Sequence, residues 1–199
     1  MKNLLMTLSG ILIFTGCTTS IPQATQYKIV TKVKKMDYSS SGCQDKSLRV
    51  REVFTSDSLV SEHMKYIKDT DKELSFTQSK WSVSPSKIIT AELLKSVRES
   101  KIFASVHNAR TRIYTNLTLE TDVEEFIQHF IDGDKNSYSK VVMTFTLVDN
   151  RTKKILGTKR VISTVKSKTL DAAGGVKALN KAFGEVLEKN NLWLDEVCK

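Results

Sequence analysis

The chain of 199 residues is poor in proline, cysteine and histidine, with two, three and three residues respectively. Scarce proline, without a low-complexity stretch or an internal repeat, gives no sign of a linker, so we expect one domain after any leader. No Cys-x-x-Cys occurs, and His63, His107 and His129 show no metal-ligand spacing with a cysteine. We therefore expect no metal site.

Motifs for nucleotide binding and hydrolysis are also missing. The patterns G-x-G-x-x-G, the P-loop, H-E-x-x-H and G-x-S-x-G do not occur. The acidic cluster Asp122, Glu124 and Glu125 could supply an acid/base pair. Because Glu124 and Glu125 are adjacent in a strand pattern, we expect them to point to opposite faces. We interpret the cluster as a solvated strand and predict no catalytic residues, no cofactor and no enzymatic activity. His129 lies in the same strand pattern, so we expect it to be packed or at a rim.

The charge is basic but scattered. The chain carries 31 Lys and Arg against 22 Asp and Glu, a net charge of +9. These cations run together only as pairs such as Lys34-Lys35 and Lys153-Lys154, which favours a solvated surface. No basic stripe is interleaved with aromatic residues, so nucleic acid is not an expected partner.

The N-terminal residues have the pattern of a signal peptide. Lys2 supplies a positive start, and residues 4–14 supply 11 mostly apolar residues, whereas a membrane-spanning helix needs about 20. The run ends in Phe14-Thr15-Gly16-Cys17 and resembles a bacterial lipobox, in which small residues before the cysteine allow diacylglyceryl transfer to its thiol. Phe14 departs from the usual leucine. An ordinary buried thiol is the alternative interpretation of Cys17.

These features divide the chain into a lipoprotein signal peptide at 1–16, a lipidated tether at 17–26 and a folded domain at 27–199. Cys17 would be the first mature residue, carrying diacylglycerol and an acyl chain such as palmitate. Two or more chains hold a protein firmly to a bilayer, whereas one does not. Thr18 stands where, in familiar Gram-negative sorting, an aspartate retains a lipoprotein in the inner membrane. We therefore expect an outer-membrane anchor with the domain facing the periplasm.

Two cysteines remain, Cys43 and Cys198, one near each end of the mature chain. Export places them in an oxidising compartment, where an even pair usually forms a disulfide. The alternative, a redox or metal-binding pair, lacks the spacing. The sequence therefore predicts a structural Cys43–Cys198 bridge.

Apolar patterns predict the elements of the domain. The patterns predict strands at residues 27–33 and 47–54 and a hairpin at residues 63–81. In the second strand, we expect Leu48, Val50 and Phe54 to face inward. Ser84 and Pro85 are typical of a helix start, and Ile89, Leu93 and Val97 then form one apolar face. Trp81 is expected in the core, with an exposed interface anchor as the alternative.

The second half predicts three long strands in an antiparallel meander and a final helix. The first of these strands, around residues 117–131, has apolar residues at both odd and even positions. This pattern indicates a bulge or a second covered face. In the last helix, Gly174-Gly175 indicates close packing or a late start. The order predicts a single α+β (α/β-like) domain with a mixed, mainly antiparallel sheet and two main amphipathic helices.

From Tyr27 to Trp193 the sequence resembles the ABC-type transport auxiliary lipoproteins of the PqiC type. Six segments follow one another in that family's order: the lipobox, LRVREVF, the hairpin leading to Trp81, ITAELLKSVRESKIFASV, LTLETDVEEFIQHF and ALNKAFGEVL. The resemblance implies a non-catalytic outer-membrane partner of a periplasmic MCE-domain protein. Such systems move lipids between the two membranes with an ABC permease and ATPase. It also implies that a homo-oligomeric ring can form.

Two other functions remain open on the sequence. One is a lipoprotein that helps to assemble the envelope or a secretion machine, such as an activator of cell-wall synthesis. The other is a lipid-modified hydrolase, for which the sequence offers no catalytic motif.

We predict that mass spectrometry of the exported protein finds a mature chain starting at Cys17 with added lipid mass. The Cys17→Ser variant should lack that mass, because serine has no thiol for the transfer. A mature wild-type Cys17 with a free amine and no lipid would contradict the prediction.

Overall fold

The computed structural model describes residues 23–34, residue 38 and residues 41–199. The signal peptide and Cys17 lie outside the described residues. The strands within these ranges are β1 Thr25–Tyr27, β2 Ser47–Val50, β3 Phe54–Thr55, β4 His63–Lys68, β5 Lys72–Trp81, β6 Ser105–Asn108, β7 Leu117–Ile131, β8 Asn136–Asp149 and β9 Ile155–Lys166. The helices are α1 Pro85–Ser100 and α2 Ala172–Val197, and a 3₁₀ turn spans Asp57–Leu59.

The sheet is built around β7. On one side β7 pairs antiparallel with β8 along its whole length, and β8 pairs antiparallel with β9. On the other side β7 takes three short parallel partners in succession, β2, β3 and β4. The antiparallel β4–β5 hairpin extends the sheet, and β6 and β1 add short parallel pairings to β2 and β5. The α+β class and the mainly antiparallel mixed sheet are as predicted.

Both helices cover one face of this sheet. Helix α2 packs across β7, β8 and β9, and α1 packs against β6 and α2. The predicted apolar face of α1 is fully buried at Ile89, Leu93 and Val97. Burying one such aliphatic side chain contributes about 1.5–3 kcal/mol, so this face holds α1 in place.

The meander supplies the other half of the core. Val141, Met143, Phe145 and Leu147 alternate along β8 and are all buried beneath α2. Trp81 is also buried, with its ring centroid 6.4 Å from that of Phe126. Its predicted place in the core is confirmed.

The predicted strand at residues 27–33 is wrong for most of its length. β1 ends at Tyr27, and the chain then runs beside α2. The amide of Val30 donates to Oδ1 of Asn180 at 3.2 Å, and the amide of Lys34 donates to Oε1 of Glu188 at 2.6 Å. Because side chains of the helix satisfy these donors, the alternating segment needs no neighbouring strand.

The predicted strand at residues 47–54 is interrupted. β2 and β3 pair separately with β7, and residues 51–53 lie between them. Leu48 and Val50 are buried as predicted, but Phe54 is 75% exposed, and Val53 is buried instead. Because the strand pairing is interrupted at residues 51–53, the side chains that face the core change from even-numbered residues, such as Val50, to the odd-numbered Val53. The short strand β6 was not predicted, because its four residues show little apolar alternation.

The two glycines near the start of α2 are explained by close packing, not by a late start. Helix α2 begins at Ala172, and the carboxylate of Asp171 caps it by accepting from the amide of Gly174 at 2.7 Å. A Cβ added to Gly175 would lie 1.8 Å from Oε1 of Gln128 on β7. The absence of a side chain at this position lets the helix approach the sheet. At α1, Pro85 is the first helical residue, although the Ser84 hydroxyl makes no capping bond.

A disulfide joins Cys43 to Cys198, with the two Cα atoms 5.3 Å apart and a sequence separation of 155. Both cysteines are buried. The bridge fixes the loop before β2 to the end of α2, as the sequence predicts. A Cβ at Gly42 would lie 2.0 Å from the carbonyl oxygen of Cys198, so a glycine is required for this approach.

We predict that a Cys43→Ala/Cys198→Ala variant unfolds at a lower urea concentration than the oxidised protein. The loss should be roughly 2–5 kcal/mol, because the bridge restricts a long loop in the unfolded chain. Reduced wild-type protein should resemble the variant. An unchanged unfolding midpoint, or two free thiols in the exported protein, would contradict this.

Candidate functional site

The candidate site is a cleft at a gap in the sheet. Along β7, the partner strand β3 ends opposite Val123, and β4 begins its pairing opposite Gln128. Between them the chain leaves the sheet for the 3₁₀ turn Asp57–Leu59. The gap is a cleft of about 240 Å³. Its wall residues come from the 3₁₀ turn and its flank, from the β4–β5 hairpin and from β7: Ser56, Ser58, Leu59, His63, Lys65, Ile67, Thr70, Glu73, Trp81, Glu124, Glu125, Phe126, Ile127 and His129.

A β-bulge on β7 lies at this gap. The register with β8 shifts between Val123 and Glu125, so Glu124 is the extra residue. Glu124 contacts Thr144, and Glu125 contacts Lys140, two residues of the same parity on β8. Both glutamates therefore lie on the face opposite the helices. The prediction that they point to opposite faces is wrong because it assumed a regular strand.

Glu124 is held by two neighbours. Its Oε2 accepts from Nε of Arg160 at 2.8 Å and lies 2.7 Å from Nη2 of the same residue, and the Thr144 hydroxyl donates to Oε1 at 2.6 Å. The hydrogen bond from Arg160, followed by that from Thr144, lowers the pKa of Glu124 below its ordinary value. A carboxylate with a lowered pKa is a weak proton acceptor near neutral pH, so Glu124 is better suited to binding than to base catalysis.

Glu125 forms a second cluster beside the first. Its Oε2 lies 2.7 Å from Nζ of Lys140, and its Oε1 lies 2.5 Å from Nε2 of His129. The ring of His129 stacks on Tyr138, with centroids 4.8 Å apart and planes 8° from parallel. His129 is thus a packed residue at the cleft wall. In the described part of the chain, no group of three or more His, Cys, Asp or Glu side chains is placed to hold a metal ion.

The opposite wall carries a further ion pair, between Lys65 and Glu73. The half-buried Ile67 and Ile127 lie between the polar groups. The cleft therefore presents paired charges around a small apolar patch, an arrangement that can bind a polar group.

The sequence identified part of this site. Glu124, Glu125 and His129 were singled out, but Lys140, Arg160 and Lys65 were missed, because only strand pairing brings them to the glutamates. The disulfide cysteines do not line the cleft. Among the described residues, no helix combines the length and apolarity needed to cross a membrane.

No protein-family model matches the chain, and a search of curated proteins found no match. Solved structures do share its fold. A Xanthomonas campestris protein of the DUF330 family superimposes with a TM-score of 0.78 at 14% identity, over 87% of this chain and 96% of that one. A second, uncharacterised protein gives 0.67 at 13% identity, over 86% and 99%. The hypothetical protein CT253 of Chlamydia trachomatis gives 0.53 at 8% identity, over 75% and 98%. At these identities the likeness establishes the fold alone.

We predict that Glu124→Gln lowers the urea midpoint at neutral pH and removes part of its pH dependence. Because the folded pKa of Glu124 lies below the unfolded value, the carboxylate stabilises the fold fully above about pH 4.3. That contribution is lost as the pH falls through the lowered folded pKa. Wild type and variant should therefore converge in acid.

Asp122→Asn is the matched control. Asp122 lies on the same strand and forms no ion pair among the described residues. Its variant should stay close to wild type across the pH range. An equal effect of both variants would show that Arg160 does not specifically stabilise Glu124.

Proposed function

We propose that this chain is a lipid-anchored periplasmic protein of the outer membrane, a non-catalytic auxiliary component of an MCE/ABC-type system that moves lipids between membranes. The observation that carries the proposal is in the sequence. A leader ends at Gly16-Cys17, and the segments that resemble auxiliary lipoproteins then follow in order from Tyr27 to Trp193.

The geometry of the chain entry supports an anchored domain. β1 starts at Thr25, eight residues after Cys17. Eight extended residues span at most about 29 Å, so a lipidated Cys17 would keep the domain close to its membrane. The buried disulfide suits an oxidising periplasm, where such bonds persist.

The fold offers stiffness and binding surface for docking. The bridge ties the loop before β2 to the last helix, and β7 is paired on both sides. In the cleft, Glu124 and Glu125 are each held by a cation of the neighbouring strands. A component that receives a periplasmic assembly needs fixed surfaces of this kind. Its expected partners are an MCE-domain protein and, through it, the permease and ATPase, and the auxiliary protein can act as a homo-oligomeric ring.

The test is chemical cross-linking in intact cells that produce the full-length acylated protein, followed by purification in detergent and mass spectrometry. We expect an MCE-domain protein among the cross-linked partners. The Cys17→Ser variant is the matched control, and it should lose this partner because it is not held at the membrane. Recovery of cell-wall synthases alone, with no MCE-domain protein, would contradict the proposal and favour an assembly factor.

A further inference from the structure

Strand β9 is a long open edge of the sheet. Among the described residues its 12 positions pair with β8 alone. Nζ of Lys189, on α2, donates to the carbonyl oxygen of Ile162 at 3.1 Å, so this carbonyl points away from β8. In an antiparallel ladder the N–H and C=O of one residue point the same way, and the direction alternates by residue. Arg160, Ile162 and Thr164 therefore direct their backbone groups to the open edge. There Lys189 already occupies the Ile162 carbonyl, and the three amides have no strand partner among the described residues.

A groove of about 320 Å³ lies beside this edge, between β9 and α2. Its wall includes Lys159 and Ile162 of the strand and Lys189 and Leu192 of the helix. Ile162 is 43% exposed and Leu192 is 40% exposed, so apolar surface is available next to the backbone groups of the open edge. Gly157 lets the ring of Trp193 approach the start of the strand, since a Cβ there would lie 3.3 Å from that ring. An added strand would thus find both backbone partners and a channel for its side chains.

The strand beside the groove is basic, and Glu196 of α2 is the one acidic residue of the groove wall. Residues 151–168 contain seven Lys and Arg and no Asp or Glu. Of these seven, only Arg160 forms an ion pair within the described ranges, with Glu124. Lys159 and Lys166 lie on β9 itself and remain available to an acidic partner.

We propose that the β9 edge binds an extended, acidic segment of another protein, in which acidic and apolar residues alternate, by β-strand addition. Acidic side chains would meet Lys159 and Lys189 in the groove, and the main chain would pair with the edge. A second copy of this chain fits less well, because two β9 edges would bring their lysines together. The inference goes beyond lipid transport and does not depend on it.

The direct test uses the mature full-length protein and a ten-residue peptide of alternating valine and glutamate. A peptide of alternating valine and lysine is the matched control. We expect the glutamate peptide to bind in a fluorescence anisotropy titration and to slow amide hydrogen exchange at Arg160, Ile162 and Thr164. Added salt should weaken binding, because the attraction is between exposed charges. The lysine peptide should not bind.

Two variants separate the backbone and charge contributions. Thr164→Pro removes one free edge N–H without removing a bond to β8, and Lys159→Glu reverses a charge in the groove. Each should weaken peptide binding by about tenfold or more. Lys135→Glu, the same charge change at the exposed turn after β7, should leave binding unchanged. If the proline variant does not fold, Lys159→Glu still tests the inference.

Three results would overturn the proposal. The first is no binding of the glutamate peptide, which would mean that the edge lysines only prevent strand association, or equal binding of the lysine peptide, which would show that charge does not select the partner. The second is exchange protection at residues outside β9. The third is self-association of the peptide-free protein with protection at the β9 edge, which would assign this edge to a second copy.

Discussion

The pairing of β7 with β8, and the bulge within it, is the interaction on which the rest of the structure depends. β7 is paired on both sides, so each short parallel strand is positioned by it. The extra residue at Glu124 changes which parity faces the helices. The strand therefore buries odd-numbered residues before the bulge and even-numbered residues after it: Leu117 and Leu119, then Phe126 and Phe130. Without the bulge, one of these pairs would lie on the face opposite the helices.

The same bulge creates the candidate site. It puts two adjacent glutamates on one face, where β8 and β9 supply Lys140 and Arg160 as partners. It also coincides with the gap between β3 and β4, where the cleft opens. Core packing and surface chemistry thus have one common cause, and a change that regularised β7 would alter both.

The surfaces to which we assign proposed functions are spread over the molecule. The chain enters at β1, the disulfide fixes the loop before β2 to the end of α2, and β9 lies at the opposite edge of the sheet from β1. An anchored docking protein needs this separation, because an edge that receives a partner must not be covered by its own attachment to the membrane. The proposed strand addition at β9 is compatible with an anchor near β1 for this reason.

Much of the local structure and the disulfide could be predicted from the sequence alone. Alternation and helical spacing identified α1, the β4–β5 hairpin and the three-stranded meander. Cysteine number identified the Cys43–Cys198 pair, and mixed parity pointed to a bulge in β7. Tertiary structure decided which strand each segment joins. It turned residues 28–34 into a segment bonded to α2 and exposed Phe54. It also brought Arg160 to Glu124, because partners in a sheet are chosen by packing over long sequence separations, which local periodicity does not record.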